Sequence, residues 1–140
     1  MSEKRICAFF DGGASPDDDV LSKAFLSIKA DGYTAAASNC EQGLPLRAMS
    51  AAYNAGLRLI AVTPHEQQSN GWSSSQREEF IRIHRLAELR FLISEKEDIG
   101  CYKQADEMLI SISGAVIIAG SCPFAEALAH RRSLRIIYIK

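Results

Sequence analysis

Three short segments of the 140-residue sequence combine glycine with side chains that could bind a phosphorylated ligand. Each segment follows an apolar run and precedes an amphipathic pattern. Glycine lets the backbone approach a ligand closely, and the free N–H groups at a helix start attract anions. The candidate ligand-binding residues are Asp11, Gly12 and Gly13 in the first segment, Asn39, Cys40, Gly43 and Arg47 in the second, and Gly120, Ser121, Cys122 and Glu126 in the third.

The first segment, ICAFFDGGASPDDDV, also carries a signal against phosphate. Ser15 and Pro16 match the N-cap and the first position of a helix, and the acidic run Asp17–Asp19 complements the positive end of that helix. The same run would repel a phosphate, so we interpret it as structural and solvated. Asp11 has two interpretations, which are binding of ribose hydroxyls and acceptance of hydrogen bonds from its own loop.

The second segment, SNCEQGLPLRAM, places a cation where a helix disfavours one. Pro45 matches the first helical position, so Arg47 lies in the first turn, at the positive end of the helix dipole. An anion beside Arg47 would offset this cost, and a solvated surface arginine is the alternative. The sequence leaves both interpretations open.

The third segment, IAGSCPFAEAL, leads into another helix that begins with proline, at Pro123. Ser121 is either a cap for this helix or a phosphate ligand. Cys122 lies at the helix start, where a thiol pKa is often lowered. A packed or merely exposed thiol is the alternative for this residue.

Apolar runs indicate the strands that position these segments. The runs are mostly continuous rather than alternating, which is typical of parallel strands buried on both faces. Patterns with helical spacing lie between them, so we predict an α/β/α sandwich with a mainly parallel sheet of five to six strands in one domain, residues 1–140. Open sheets of this kind bind ligands at the carboxyl ends of their strands, which makes the three strand-to-helix segments candidate binding turns. The runs are ICAFF, TAAAS, LRLIAVT, AVIIAG, LRIIYIK and, most weakly, LRFLIS.

The long polar loop 64–76 holds two further residues of interest. Loops of this length within compact domains are often functional. His65 could lie at the rim of the ligand site, although a loop histidine is more often solvated. Trp72 could stack on a base, or it could pin the loop to the body of the protein.

The charge and cysteine patterns exclude several classes of function. Sixteen basic and seventeen acidic residues give a net charge of −1, which argues against a nucleic-acid polymer or an anionic membrane as partner. The four cysteines form no CxxC pair, and no histidine lies at metal-ligand spacing from them, so we predict no metal site and no cofactor. No apolar stretch approaches a membrane span of about 20 residues. A cytoplasmic protein with reduced thiols is the simplest interpretation.

The three segments, in this order, resemble the SLOG superfamily, which includes the Lonely Guy phosphoribohydrolases (long called lysine decarboxylases), the molybdenum-cofactor carriers and the DNA-processing protein A family. The matching stretches are FFDGGASPDDDVLSKAF, AASNCEQGLPLRAMSAAYNAGLRLIAVTP and YKQADEMLISISGAVIIAGSCPFAEAL, which together cover nearly the whole chain. The resemblance implies a Rossmann-like domain with the strand order 4-3-2-1-5-6, a nucleotide-like ligand and a homodimer.

The chain departs from the catalytic motifs of the Lonely Guy enzymes. Their PGGxGTxxE motif corresponds to residues 119–126, where only Gly120 and Glu126 match. Phe124 stands where a threonine would contact phosphate, and the catalytic arginine falls near Gln104. The stretches TPHEQQSNGWSSSQREEF and YKQADEMLISISGAVIIA resemble a non-catalytic branch of small bacterial members of the superfamily. That resemblance implies binding of a nucleotide or nucleotide-derived ligand without the Lonely Guy catalytic set.

Two alternative functions remain open, so the sequence does not decide whether the protein is an enzyme. The first is cleavage or transfer of an N-glycosidic bond in a (deoxy)nucleotide, with Glu126 or Asp11 stabilising the ribosyl centre or activating water. The second is a partner-binding role similar to that of DNA-processing protein A.

Overall fold

The computed structural model describes residues 4–140, in which strands and helices alternate strictly. The strands are β1 (Ile6–Gly12), β2 (Ala35–Ser38), β3 (Arg58–His65), β4 (Leu89–Ser94), β5 (Ala115–Gly120) and β6 (Arg135–Ile139). The helices are α1 (Asp18–Ala30), α2 (Leu44–Asn54), α3 (Ser74–Leu86), α4 (Cys101–Ile112) and α5 (Pro123–Arg131). Each predicted apolar run forms a strand, including the weakest one, LRFLIS, which is β4.

The strands form one six-stranded sheet in the order β4-β3-β2-β1-β5-β6, and every neighbouring pair is parallel. This confirms the predicted Rossmann-like α/β fold and its strand order. The chain passes from β1 outward to β4 and then returns to β5 on the other side of β1. The carboxyl ends of β2, β1 and β5 therefore lie side by side, at the point where the direction of winding reverses.

Two hydrophobic cores, one on each face of the sheet, make the three layers. Side chains of α1, α2 and α3 fill the first core, and side chains of α4 and α5 fill the second. Alternate residues of each inner strand enter opposite cores, as Cys7 and Phe9 do on one face and Ala8 and Phe10 on the other. A strand that is buried on both faces favours apolar residues at nearly every position, which explains the continuous apolar runs.

The start of α1 differs from the prediction. Asp17, and not Ser15, is the N-cap, because its side chain accepts a hydrogen bond from the backbone N–H of Val20 at 2.9 Å. Pro16 precedes the helix and is buried. Asp19 pairs with Lys23 one turn later, at 3.0 Å. The acidic run is therefore structural, as predicted, although its register is shifted by two residues.

Among residues 4–140, no helix is both long enough and apolar enough to cross a membrane. All four cysteines are unbridged, and three of them, Cys7, Cys40 and Cys101, are buried.

Candidate functional site at the carboxyl end of the sheet

A cavity of about 210 Å³ lies at the carboxyl ends of the central strands. All three segments contribute to its wall, together with α4. The lining residues are Phe9, Phe10, Asp11, Asn39, Glu41, Pro45, Asp106 and Cys122. Pockets for drug-sized ligands usually exceed about 300 Å³, so this cavity has room for one ring-sized group rather than a whole nucleotide.

Three of the predicted site residues, Asp11, Asn39 and Cys122, line this cavity. Asp11 ends the apolar run of β1, and its Oδ1 accepts a hydrogen bond from the N–H of Gly13 at 3.0 Å. Asn39 Oδ1 accepts from the N–H of Glu41 at 3.0 Å, which fixes the turn after β2. The two side chains thus hold their own turns and still reach the cavity wall.

The glycines of the first and third segments hold β1 and β5 together beyond the end of the sheet. Ser121 N–H donates to Gly12 O at 3.0 Å, and a Cβ added to Gly12 would lie 2.5 Å from Ser121 N. Gly120 has φ +103°, and a Cβ there would lie 2.3 Å from Gly12 O. These two glycines are required for a backbone-to-backbone approach within the protein. Gly13 and Ser121, by contrast, are exposed to solvent.

The other predicted site residues of the second segment, Cys40, Gly43 and Arg47, lie outside the cavity wall. Gly43 is the N-cap of α2, with φ +86°. Cys40 is buried, and burial raises the pKa of its thiol to about 12, so it is neutral at pH 7. Arg47 Nη2 lies 2.9 Å from Asp18 Oδ1 and also donates to Pro16 O. The anion beside Arg47 is thus a side chain of α1.

Glu126 also has two partners within the protein. Its Oε2 accepts from the N–H of Cys122 at 3.2 Å, and its Oε1 accepts from the hydroxyl of Tyr138 at 2.7 Å. The carboxylate therefore caps the first turn of α5 and ties it to β6. Glu126 does not line the cavity.

The environment of Cys122 raises the pKa of its thiol. Burial is the main cause, and the negative charges of Asp106, Glu126 and Asp11 add to it. The helix start does not overcome these effects, so the lowered pKa considered for this residue does not occur. Cys122 is a neutral thiol in the cavity wall at pH 7.

Two acidic lining residues, Glu41 and Asp106, were missed by the sequence analysis. Asp106 follows Ala105 in the apolar stripe of α4 and is half-buried, and burial raises the pKa of its carboxyl to about 6. Glu41 Oε1 accepts from the N–H of Gln42, and its carboxylate also binds the hydroxyl of Tyr102. The sequence does contain one signal for Asp106. It is an acidic residue next to the apolar stripe, in the first two turns of a helix that starts at this end of the sheet.

The two helices that contribute residues to the cavity wall, α2 and α4, have no side-chain cap. Their N-caps are Gly43 and Gly100, whereas α1 and α3 are capped by Asp17 and Ser73. The partial positive charge at these uncapped N-termini favours nearby anions. It offsets part of the repulsion among the carboxylates that line the cavity.

Two buried polar side chains, Gln68 and His65, lie on the segment that follows β3 and at the end of β3 itself. Gln68 Nε2 donates to Asn39 O at 3.0 Å, while Gln68 Oε1 has no partner among residues 4–140. His65 is buried at the end of β3, with its Nε2 3.8 Å from Glu97 Oε2 and its ring edge-on to Tyr102. Its Nδ1 likewise has no partner in the described part of the chain.

Trp72 packs edge-on against Phe80, with ring centroids 5.4 Å apart. This contact fixes the loop after β3 to α3, which matches the structural interpretation of the tryptophan.

No group of three or more histidine, cysteine, aspartate or glutamate side chains within residues 4–140 is arranged to hold a metal ion.

A larger cavity, of about 560 Å³, lies at the opposite end of the sheet. Lys4, Arg5 and Arg132 line it, with Asp31. Arg5 donates to Gly32 O beyond the end of α1, at 3.2 Å. Cations near helix C-termini complement the helix dipole, so these residues have a structural explanation. The smaller cavity is the better candidate because it lies where open α/β sheets bind ligands.

Solved structures of the same Rossmann-like class resemble this chain over almost its whole length. One is the molybdenum cofactor binding protein from the phototrophic bacterium Rippkaea orientalis, with TM-score 0.61, 16% identity and coverage of 99% of this chain and 77% of that chain. Another is the molybdenum cofactor carrier protein from Chlamydomonas reinhardtii, with TM-score 0.57, 15% identity and coverage of 97% and 76%. At these identities the likeness establishes the fold. No known family profile and no curated protein sequence matches the chain.

Proposed function

We propose that this protein binds a small polar ligand, a nucleotide or a nucleotide-derived molecule, in the cavity at the carboxyl ends of β1, β2 and β5. The observation that carries this proposal is an open cavity bounded by all three segments, where packed side chains could have filled the space. It lies at the reversal point of the sheet, which is the usual ligand site of the fold.

The size and chemistry of the cavity favour binding of one ring or one sugar of the ligand, with the rest of the ligand outside the cavity. Asp11 and Asn39 offer oxygen acceptors to ribose hydroxyls or base N–H groups, and Phe9 and Phe10 offer apolar surface. The two solved structures described above are named for binding or carrying the molybdenum cofactor, which makes that cofactor a second cargo to test.

A specific observation also supports the N-glycosidic hydrolase as a second candidate. Asp106 is half-buried with a pKa of about 6, and it lines the same cavity as Asp11, which is exposed at the end of β1. Two carboxyl groups in different environments are typical of acid–base pairs. Asp106 would protonate the leaving base while water adds to the sugar carbon, so that one C–N bond breaks, one C–O bond forms and the water supplies the balancing proton.

Native mass spectrometry of the freshly purified chain tests the binding proposal. We expect a retained small molecule, to be identified after denaturation, and molybdenum analysis of the same sample tests the second cargo. Cys122→Met should fill the cavity and abolish retention, whereas Ala127→Met, on the exposed side of α5, should retain it. Retention that survives Cys122→Met would contradict the proposed site.

The same spectra report the number of chains in each particle. The homodimer and the cytoplasmic location remain predictions. The apolar side chains at the outer edge of β4, Leu89 and Leu92, are about half exposed, at 52% and 50%, which makes this edge the first place to look for an interface.

A further inference from the structure

The charges that line the cavity are all of one sign. Asp11, Glu41 and Asp106 line it, and no lysine, arginine or histidine among residues 4–140 does. The nearby cations are engaged elsewhere, since Arg47 pairs with Asp18 and the Lys103 ammonium lies over the Phe124 ring, 4.9 Å from its centroid. A phosphate in the cavity would therefore meet carboxylates and no positively charged side chain.

The cavity wall holds an acidic side chain that has no partner within the protein. Asp106 lines the cavity and makes no hydrogen bond or ion pair within residues 4–140. Buried polar groups are normally satisfied by a protein partner, a water molecule or a ligand. A ligand group that enters this acidic cavity pairs with its carboxyl groups by supplying donors.

We infer that the part of the ligand that enters this cavity carries N–H donors, as the amidine edge of an aminated nucleobase does, and that phosphate groups stay outside. This inference rests on the proposed function and names the chemistry of the group that is bound. Ionised carboxylates accept N–H groups in strong charge-assisted hydrogen bonds, and a carboxyl group can face an amidine edge through two bonds in one plane. Two unit charges of like sign 4 Å apart repel by about 1 to 4 kcal/mol in water-exposed sites, which disfavours phosphate.

Asp106 is the residue that we assign to this edge. Burial raises its pKa to about 6, so its carboxyl group changes protonation state close to neutral pH. The titratable groups that share the cavity with it are Asp11 at the end of β1, Glu41 after β2 and Cys122 before α5, and each of them is acidic or neutral.

The protonation state of Asp106 decides which edge it can bind. The protonated form has one donor and one acceptor, which match the ring nitrogen and the exocyclic amine of adenine. The ionised form has only acceptors and cannot donate to the ring nitrogen. Binding of adenosine should therefore weaken as the pH rises through 6.

Calorimetric titration of the full chain with adenosine and purine riboside tests the inference. The two nucleosides differ at the amidine edge, because purine riboside carries a hydrogen in place of the amine and has no N–H donor there. We expect adenosine to bind about tenfold more tightly than purine riboside, within the range that a bidentate contact to a base provides. Inorganic phosphate should not compete with adenosine. Equal binding of the two nucleosides, or competition by phosphate, would overturn the inference.

Variants of α4 test the assignment to Asp106. Asp106→Ala should weaken adenosine binding about tenfold, while Glu107→Ala, at the exposed neighbouring position, should leave it unchanged. Asp106→Asn keeps one acceptor and adds permanent donors, so its affinity for adenosine should be close to that of the native chain at pH 5 and the same at pH 7.5. A native affinity that is equally independent of pH would overturn the assignment.

The failure of this inference differs from the failure of the proposed function. A retained molecule without N–H donors, lost in Cys122→Met, would overturn the inference and leave the binding function standing. A chain that retains no small molecule and binds neither nucleoside would overturn the binding function, and the inference with it.

Discussion

Arg47, in the first turn of α2, is paired with Asp18, the first residue of α1, with 2.9 Å between Nη2 and Oδ1. The pairing explains why a cation is tolerated at the positive end of a helix. Both side chains are well exposed, at 46% and 84%, and exposed ion pairs contribute only about 0.2 to 1 kcal/mol. The ion pair therefore connects α1 and α2 but contributes little to the free energy of unfolding.

We predict that Arg47→Ala lowers the free energy of unfolding by about 1 kcal/mol or less and leaves ligand retention unchanged, because the guanidinium is already occupied by Asp18 and Pro16. Urea denaturation of Arg47→Ala, Asp18→Ala and the double variant measures the coupling energy, which should fall in high salt. Loss of a retained ligand at unchanged stability would show instead that Arg47 contacts the ligand.

The glycines between β1 and β5 should be the least tolerant positions of the three segments. Gly120→Ala combines a left-handed φ of +103° with a clash against Gly12 O, and we expect it to destabilise the chain by several kcal/mol or to prevent folding. Gly13→Ala is the matched control, because it has φ +94° and open space around the added Cβ. The control should lose only about 1 to 2 kcal/mol, the cost of the φ alone. Equal losses in thermal denaturation would contradict the close approach.

The fold could be predicted almost completely from the sequence. Strands that are buried on both faces appear in the sequence as continuous apolar runs. The run LRFLIS gives the weakest strand signal, because β4 is an edge strand in which Leu89 and Leu92 are partly exposed. The topology then brings the three segments to one end of the sheet. These are properties of chain order and burial, which a single sequence records directly.

The interactions of the site's side chains were harder to predict from the sequence, because their hydrogen-bond partners lie on distant elements of the chain. Arg47 is satisfied by α1 and Glu126 by Tyr138 on β6, and neither contact has a local sequence signal. Asp106 was missed for a related reason. A helical stripe identifies the apolar residues that face the core, but it does not show that an adjacent acidic residue is half-buried beside a cavity.

Thiol chemistry should distinguish Cys122 from the other three cysteines. Cys122 is the only partly exposed thiol in the described chain, and its pKa is raised, so we predict that one thiol per chain reacts at pH 8, more slowly than free cysteine. Asp106→Asn should speed this reaction, because it removes a charge that raises the pKa of Cys122. An aromatic disulfide reagent gives the rate, and Cys122→Ser should abolish it. A second reactive thiol in the folded chain would contradict the burial of Cys7, Cys40 and Cys101.

Glu126 should behave as a helix cap. Glu126→Gln leaves one amide oxygen for the two donors that the carboxylate now accepts, Cys122 N–H and the Tyr138 hydroxyl. We expect a loss of about 0.5 to 1.5 kcal/mol in the free energy of unfolding, and a smaller additional loss when it is combined with Tyr138→Phe. Nucleoside binding should be unchanged in both variants. If base release is detected and Glu126→Gln abolishes it at unchanged stability, Glu126 is catalytic instead.

The strongest pH effect on stability should come from Asp106. Its pKa rises from 3.8 to about 6 on folding, so the folded chain holds the proton more tightly than the unfolded chain does. Below pH 3.8 both states are protonated and the effect is absent. Between pH 3.8 and 6 the folded state loses stability relative to the unfolded state, and above pH 6 the full penalty remains.

Asp106→Asn removes the charge and keeps the shape of the side chain. We therefore predict that it raises the free energy of unfolding at pH 7.5 by on the order of 2 kcal/mol, and by little at pH 4. Urea denaturation at the two pH values measures the difference, with Glu107→Gln as the exposed control on the same helix. A destabilising effect at pH 7.5 would mean that the carboxylate has a stabilising partner. A stabilising effect, together with weaker ligand binding at pH 5 in Asp106→Ala, would show that the chain keeps a costly carboxyl group in this cavity because its ligand requires it.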